Sequence, residues 1–378
     1  MKIKLPEGWQ EVELGDILNY EQPTDYIVNS EEYNDEYKTP VLTAGKSFIL
    51  GYTNEKYGIY DKLPVIIFDD FTTAIKFVTF PFKVKSSAMK LLTPKIKYVN
   101  LKYIFWLMQT IKVNSVSHKR YYLSKYQHIK IPLPPLPVQK KIVQIIEKAE
   151  ALKQNREEAD KLTRDYLQSV FYEMFGNKKY ERIKLKELCL LITKGTTPTT
   201  YGHLFIEKGI NFFKIENIDE DGNIFMDSLQ FISEEADNLL KRSRLMDGDL
   251  LFSIAGALGR VAIINKKHLP ANINQAIAII RLKPENKINR KYLEFYLKSE
   301  VVFKQINDNK RGVAQLNLNL EQVGKLDIIV PPFSLQQKFA SIVEHVEKMK
   351  EKQQKSKEKI DEMFNSLMQR AFNGELVA

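Results

Sequence analysis

The strongest constraint in this chain is that a stretch of about 40 residues occurs twice without a gap. Pro134-Pro135-Leu136-Pro137-Val138-Gln139-Lys140-Lys141-Ile142 returns 197 residues later as Pro331-Pro332-Phe333-Ser334-Leu335-Gln336-Gln337-Lys338-Phe339. The echo continues through Ile145-Ile146-Glu147 against Ile342-Val343-Glu344, and closes with Phe175 against Phe372. Neither copy contains Gly or Pro from Val138 to Phe175 or from Ser334 to Phe372, and Glu, Lys, Gln, Ala, Leu and Met dominate both. Such runs are long helices. A chain with two equal helical arms is a two-part molecule, and internal repetition of this kind decides the architecture before any local pattern does.

The repetition reaches beyond the arms. Trp9, Val12, Leu14 and Ile17 match Tyr180, Ile183, Leu185 and Leu188, so both halves open alike. Each half has a helix starting at an Asn, in Asn100-Leu101-Lys102-Tyr103-Ile104 and Asn289-Arg290-Lys291-Tyr292-Leu293. Asn is a favoured N-cap because its side chain accepts a bond from an orphan helix N–H. The chain therefore reads as head, arm, head, arm: residues 1–133, 134–177, 178–330 and 331–378. Apolar or β-branched runs mark strands at Pro64 to Phe68, Phe77 to Val84, Ile210 to Ile215, Leu250 to Ile254, Val261 to Ile264 and Ala276 to Leu282. Pro81 within the second run implies an edge or a bend. Each head is thus a small α+β domain. Outside the shared frame, residues 20–90 and 193–275 do not align.

In the arms, apolar residues spaced by three and four (Ile142, Ile145, Ala149, Leu152, Ala159; Phe339, Ile342, Val346, Met349, Ile360, Met363, Leu367) predict a coiled-coil seam. Both seams turn polar at equivalent places, at Arg156 and Gln353 and again toward Ser356, which suggests that the arms pair with each other. Tandem copies related by an internal pseudo-two-fold would pair antiparallel. The alternative is that each arm packs against its own head. Ser334 with Gln337 matches a capping box, Pro137 suits a first helical turn, and Gly176-Asn177 and Asn373-Gly374 are fitting stops.

Composition narrows the function. The chain has 378 residues and a net charge of +10, which favours a polyanionic partner such as nucleic acid. Its single cysteine, Cys189, allows no internal disulfide and fits a reducing, cytoplasmic setting. No apolar run approaches the roughly 20 residues of a membrane span, so no membrane partner is expected.

Several motifs start toward chemistry and stop short. Gly45-Lys46-Ser47 resembles the end of a phosphate-binding loop, but Pro40 stands where the first glycine belongs and no helix start follows. Val330-Pro331-Pro332-Phe333 resembles the Pro-Pro-aromatic motif of amino-group DNA methyltransferases, yet Val330 offers no polar acceptor and the segment recurs as an arm leader. Asp25 with Glu36-Tyr37-Lys38 is a faint nuclease-like pattern. The five His show no metal-ligand spacing, and one Cys excludes a cysteine-based zinc site. No catalytic, cofactor-binding or metal-binding residue is expected.

Basic residues near aromatics, small residues and amides are the footprint expected of a DNA reader, because phosphate contacts supply affinity and base-edge contacts specificity. In the first head these are Lys46, Lys83, Lys85, Lys90 and the cluster His118, Lys119, Arg120 and Tyr121. In the second they are Lys194, Thr196, Thr197, Arg242, Arg244, Arg260, Gln275, Lys310, Arg311 and Gln315. Arg and Gln match guanine and adenine edges in the major groove. Unlike heads would read unlike sequences, so the site would be split and asymmetric.

The assembled pattern resembles the specificity subunit of type I restriction–modification systems. The residues that carry it are Gly8-Trp9 with Leu14-Gly15-Asp16-Ile17, both Pro-Pro leaders, Lys194-Gly195-Thr196-Thr197-Pro198, Asp247-Gly248-Asp249-Leu250-Leu251, Asn274-Gln275 and Gly312-Val313-Ala314-Gln315-Leu316. The resemblance implies two α+β target-recognition domains separated by two long helices that pair as an antiparallel coiled coil. It implies a non-catalytic subunit that reads a bipartite site on double-stranded DNA. The partners it implies are two modification subunits, which methylate adenine N6, and restriction subunits where a system has them. S-adenosylmethionine, ATP and magnesium would sit on those partners, and this chain would bind no cofactor. Two departures stand out: the first head lacks the Lys-Gly-Thr-Thr-Pro motif, and the second arm is Lys-rich between Lys348 and Lys359. Two readings of other classes are a coiled-coil adaptor without DNA binding and a fused DNA methyltransferase or nuclease.

Overall fold

The computed structural model describes residues 5–43, 47–111, 121–176, 179–285, 288–308 and 317–376. It is an α+β chain that divides into two compact units, one of residues Met1–Asp160 with Lys352–Ala378 and one of Lys161–Glu351.

In the first unit, β1 (Gln10–Glu13) is followed by β2 (Leu18–Glu21), β3 (Thr39–Leu42), β4 (Ile49–Thr53), β5 (Val65–Asp69), β6 (Ile75–Val78), β7 (Lys83–Val84), β8 (Met89–Pro94) and β9 (Lys130–Leu133). Four strands form an antiparallel sheet in the order β2-β8-β5-β6, and three form a second sheet in the order β4-β3-β7. In that second sheet β3 runs parallel to β7. Successive side chains of a strand point to opposite faces. Ile66 and Phe68 therefore enter the core shared with helix Leu101–Thr110, while Val65 and Ile67 pack with Leu42, Tyr60, Phe82 and Val84. Burial on both faces explains why β5 is apolar from Val65 to Phe68. The predicted single run from Phe77 to Val84 is two strands, broken around Pro81.

The second unit repeats this plan with β10 (Glu181–Lys184), β11 (Cys189–Lys194), β12 (Ile210–Phe213), β13 (Gln230–Ile232), β14 (Leu250–Ser253), β15 (Val261–Ile263), β16 (Ala271–Ile273), β17 (Ile277–Leu282) and β18 (Asp327–Val330). The sheet orders are β11-β17-β14-β15 and β13-β12-β16, with β12 parallel to β16. Each order corresponds strand for strand to the first unit, although the sequences between residues 20–90 and 193–275 do not align. In both units the first and last strands pair antiparallel, β1 with β9 and β10 with β18, closing the head where the arm leaves it.

The arms are helices Leu136–Phe171 and Phe333–Phe372, the first ending in a π-helical turn at Tyr172–Gly176. Within the first unit they run antiparallel. Lys153 lies 3.0 Å from Asp361 and over the ring of Phe364, while Ile142, Val143 and Ile146 share a core with Met368, Ala371 and Phe372. Within the second unit Phe171 and Phe175 pack on Phe339. Each arm root also packs on its own head, so both readings of the arms hold in part. The predicted seam holds at Ile142, Ala149, Phe339 and Val346, which are buried, but the buried face is wider than predicted: Val143, Ile146, Ala340 and Val343 are buried as well, whereas Leu152, Met349 and Met363 are more than 40% exposed. A face that must serve a head and a partner helix together is wider than a coiled-coil stripe. Ser334 lies inside the second arm, which begins at Phe333, and so is not its N-cap.

The repeated leader glutamine explains itself in the structure. Gln139 and Gln336 are fully buried. Gln139 accepts from the Asn100 backbone N–H (2.7 Å) and donates to the carbonyls of Pro134 (2.8 Å) and Tyr98 (3.0 Å). Gln336 accepts from Asn289 N–H (2.8 Å) and donates to Pro331 carbonyl (2.7 Å). Asn100 and Asn289 in turn cap their helices, each accepting from two backbone N–H groups. Arm leader and head helix are thereby locked together identically in both units.

Candidate nucleic-acid interface

In the second unit, three connections converge at one end of the four-stranded sheet. Lys194, last in β11, lies opposite Ala278, and Ser253, last in β14, lies opposite Ile277, first in β17. Residues 195–198, 254–260 and 274–276 therefore gather on one edge. Ile254 N–H donates to Ala276 carbonyl (2.8 Å), and Leu318 N–H donates to Ile254 carbonyl (2.8 Å). The Thr197 hydroxyl is hydrogen-bonded to the side-chain oxygen of Gln275. Gly195 permits the crossing, since a Cβ there would lie 1.9 Å from the Ile273 carbonyl oxygen. The Ser253 hydroxyl ties the 254–260 loop, donating to Ala257 carbonyl (2.5 Å) and accepting from Arg260 N–H (2.8 Å).

This edge brings together Lys194, Thr196, Thr197 and Gln275, of which Lys194 and Gln275 are exposed. Arg260 belongs to the same loops, but its guanidinium is turned inward and donates to the carbonyls of Ile218 (2.7 Å) and Ile215 (3.3 Å). Arg244 lies apart from it, and Arg242 is exposed on the 3-10 turn Lys241–Ser243. Arg244 pairs with Asp237 (2.5 Å), and its carbonyl accepts from Arg281, at the other end of β17 from Ile277. Arg281 is itself held by the buried Asp249 (2.7 Å), which raises its pKa.

The matching edge of the first unit is built on the same frame and lined differently. Glu21 ends β2 opposite Leu91, and Asp69 ends β5 opposite Met89. A single 3-10 turn follows the edge strand in each head, Pro23–Tyr26 in one and Pro198–Tyr201 in the other. Both turns read Pro-Thr-x-Tyr. The first head thus keeps the close of the motif it was expected to lack, with two residues fewer between strand and proline, a shift that hides the match in an ungapped comparison.

Three first-head candidates are corrected by their surroundings. Lys83 is 2% exposed, 3.0 Å from Glu55 and 2.7 Å from Tyr57 carbonyl. Lys90 is 4% exposed, 3.0 Å from Asp70, and hydrogen-bonded to Gln22. Tyr121 is buried in the core. A buried ammonium must be paired, and these two are satisfied inside the head. The signal lay in their neighbours: Phe82 and Val84 flank Lys83, and Met89 and Leu91 flank Lys90. Lys85 is half-exposed and paired with Glu31, whose hydrogen bond raises its pKa. Lys46, His118, Lys119, Arg120, Lys310, Arg311 and Gln315 lie outside the described residues. Among the described residues no His/Cys/Asp/Glu group could hold a metal ion, and no helix is long and apolar enough to cross a membrane.

A family model described as the type I restriction modification DNA specificity domain matches residues 6–163 and 177–362. The chain is 50% identical over 151 residues to the specificity subunit of the Escherichia coli type I restriction enzyme EcoR124I/EcoR124II, a stretch that spans 37% of each protein. It is 22% identical to the Escherichia coli EcoBI specificity subunit along its whole length, covering 88% of that relative. In fold it is similar to the crystal structure of a type I restriction–modification S subunit from M. genitalium, with a TM-score of 0.57, 14% identity and 98% of each chain covered.

Proposed function

The chain belongs to the type I restriction–modification DNA specificity family, and from that membership we propose that it is the non-catalytic subunit that reads a bipartite, asymmetric site on double-stranded DNA. It positions adenine-N6 methyltransferase subunits on that site, together with restriction subunits where they are present. Two modification subunits, one for each half of the repeat, are the stoichiometry that the duplication favours. S-adenosylmethionine, ATP and magnesium belong to those partners. The heads are residues 1–133 and 178–330, and the arms are residues 134–177 and 331–378.

One observation carries this reading. Two units share a sheet order strand for strand, yet the loop edges they present differ in charge and sequence. The second edge offers Lys194, Thr196, Thr197 and Gln275. The first places Glu21 and Gln22 where the second has Lys194 and Thr197. A common frame with unlike edges suits two readers of unlike half-sites, since base edges are distinguished by donor and acceptor pattern. Phosphate contacts contribute affinity without sequence information. The arms set how far apart the two half-sites lie.

Replacing residues 178–330 with the head of another family member tests the proposal. Methylated adenines sequenced from DNA exposed to the reconstituted complex should show one half-site changed and the other kept. A change in both halves would refute independent reading.

A further inference from the structure

We propose that the loop Asn54-Glu55-Lys56-Tyr57 of the first head contacts the DNA duplex directly, with Tyr57 laid against the first half-site. The inference rests on the DNA-reading function proposed above and deepens it. Tyr57 is 88% exposed, more than any other large hydrophobic side chain among the described residues. A lone exposed aromatic needs no explanation by itself. What needs one is the machinery that holds this one still. Before the tip, the Glu55 carboxylate accepts from Asn29 N–H (2.8 Å), Ser30 N–H (3.1 Å) and the Asn29 side-chain amide (3.1 Å). Burial opposes ionisation of Glu55, but the bonds from Lys83, Ser30 and Asn29 outweigh it and hold its pKa below the usual value. After the tip, Lys83, itself buried, bridges Glu55 and the Tyr57 carbonyl. Gly58 then turns at φ +63, and Tyr60 exchanges backbone bonds with Phe82.

A buried ion pair adds little net stability over an apolar pair of the same shape. Spending one on the carbonyl of an exposed tyrosine makes sense if the position of that tyrosine matters. Its place and its neighbours indicate the partner. A Cβ on Gly58 would lie 2.5 Å from Asp25 carbonyl, so the loop abuts the Pro23–Tyr26 turn on the candidate reading edge. Asn54 and Lys56 are exposed beside Tyr57. An ammonium for phosphate, an amide for a base edge and a flat ring with a hydroxyl form a set suited to a duplex. The corresponding connection of the second head, between β13 and β14, is longer and carries helix Glu234–Leu239 and the exposed Arg242 instead. The two heads differ at the connection where a sequence reader should differ.

The test is Tyr57→Ala in the full chain, assembled with its modification subunits. Cognate DNA binding should weaken by about 10- to 100-fold, the range for loss of one base-edge contact in a duplex. Sequencing of methylated adenines should show relaxed preference within the first half-site and an unchanged second half-site. Tyr57→Phe should keep most of the binding, and the melting temperature of Tyr57→Ala should match the parent. Unchanged affinity and half-site preference in Tyr57→Ala would overturn the assignment. So would a loss of assembly with the modification subunits at unaltered DNA selectivity, which would make the loop a protein contact. If the parent complex itself methylates no bipartite motif, the DNA-reading function fails, and that outcome is distinct from a Tyr57→Ala variant that behaves as the parent.

Discussion

Four residues inserted beside Ala159 are expected to lengthen the spacer of the methylated site while both half-sequences stay as they are. An α-helix rises 1.5 Å per residue, so the insertion adds roughly 6 Å, one to two base-pair steps, and turns the downstream face by only about 40° past a full turn. The position tolerates it. Between Ala149 and Leu167 the first arm buries no large apolar side chain. DNA with the original spacer would then misplace one half-site. At about 1–3 kcal/mol per mismatched pair, methylation there should fall on the order of 100-fold or more. Sequencing the methylated adenines reads both outcomes, and an unchanged spacer at full activity would remove the arms from any role in spacing.

Replacing either leader glutamine with Ala should cost about 2–4 kcal/mol, since it strands buried backbone donors and acceptors and leaves a small cavity. Gln139→Ala frees Asn100 N–H and the carbonyls of Tyr98 and Pro134; Gln336→Ala frees Asn289 N–H and Pro331 carbonyl. Each change acts within one unit. Gln139→Ala should therefore lower the unfolding transition of the first unit and Gln336→Ala that of the second, by roughly 5–10 °C for domains of this size. Calorimetry on the two single variants checks this. A variant that melts as the parent does would show that the leader lock is not what fastens arm to head.

What could be read from the sequence follows from which residues are constrained twice. The arms and their leaders were legible because Gln139 and Gln336, Asn100 and Asn289, and Tyr103 and Tyr292 make equivalent bonds in both units, so the repeat persists residue by residue. The heads repeat equally well in topology, but their strands need only be apolar on the buried faces, and their loops carry no shared requirement. That is why the shared Pro-Thr-x-Tyr turn, at a different spacing in each head, is not legible in an ungapped comparison. Lys83 and Lys90 carry the charge of a phosphate contact, but they sit on strand faces that the core already fills. The seam is legible only in part, for a related reason. Leu152, Met349 and Met363 fit a two-helix stripe, but the arm roots bury Ile142, Val143 and Ile146 in a core that also contains head residues. Tyr57 is not legible in the sequence, because exposure and a pinned carbonyl are tertiary facts with no sequence signature.

On the proposed function, this chain selects where methylation falls and leaves the chemistry to its modification subunits. The most direct measurement incubates unmodified DNA with the purified chain, with the modification subunits, and with both, and then sequences N6-methyladenine. Methylation is expected at a single two-part motif with a fixed spacer only when both are present. Methylation or cleavage by the chain alone, or the same motif from modification subunits without it, would contradict the account.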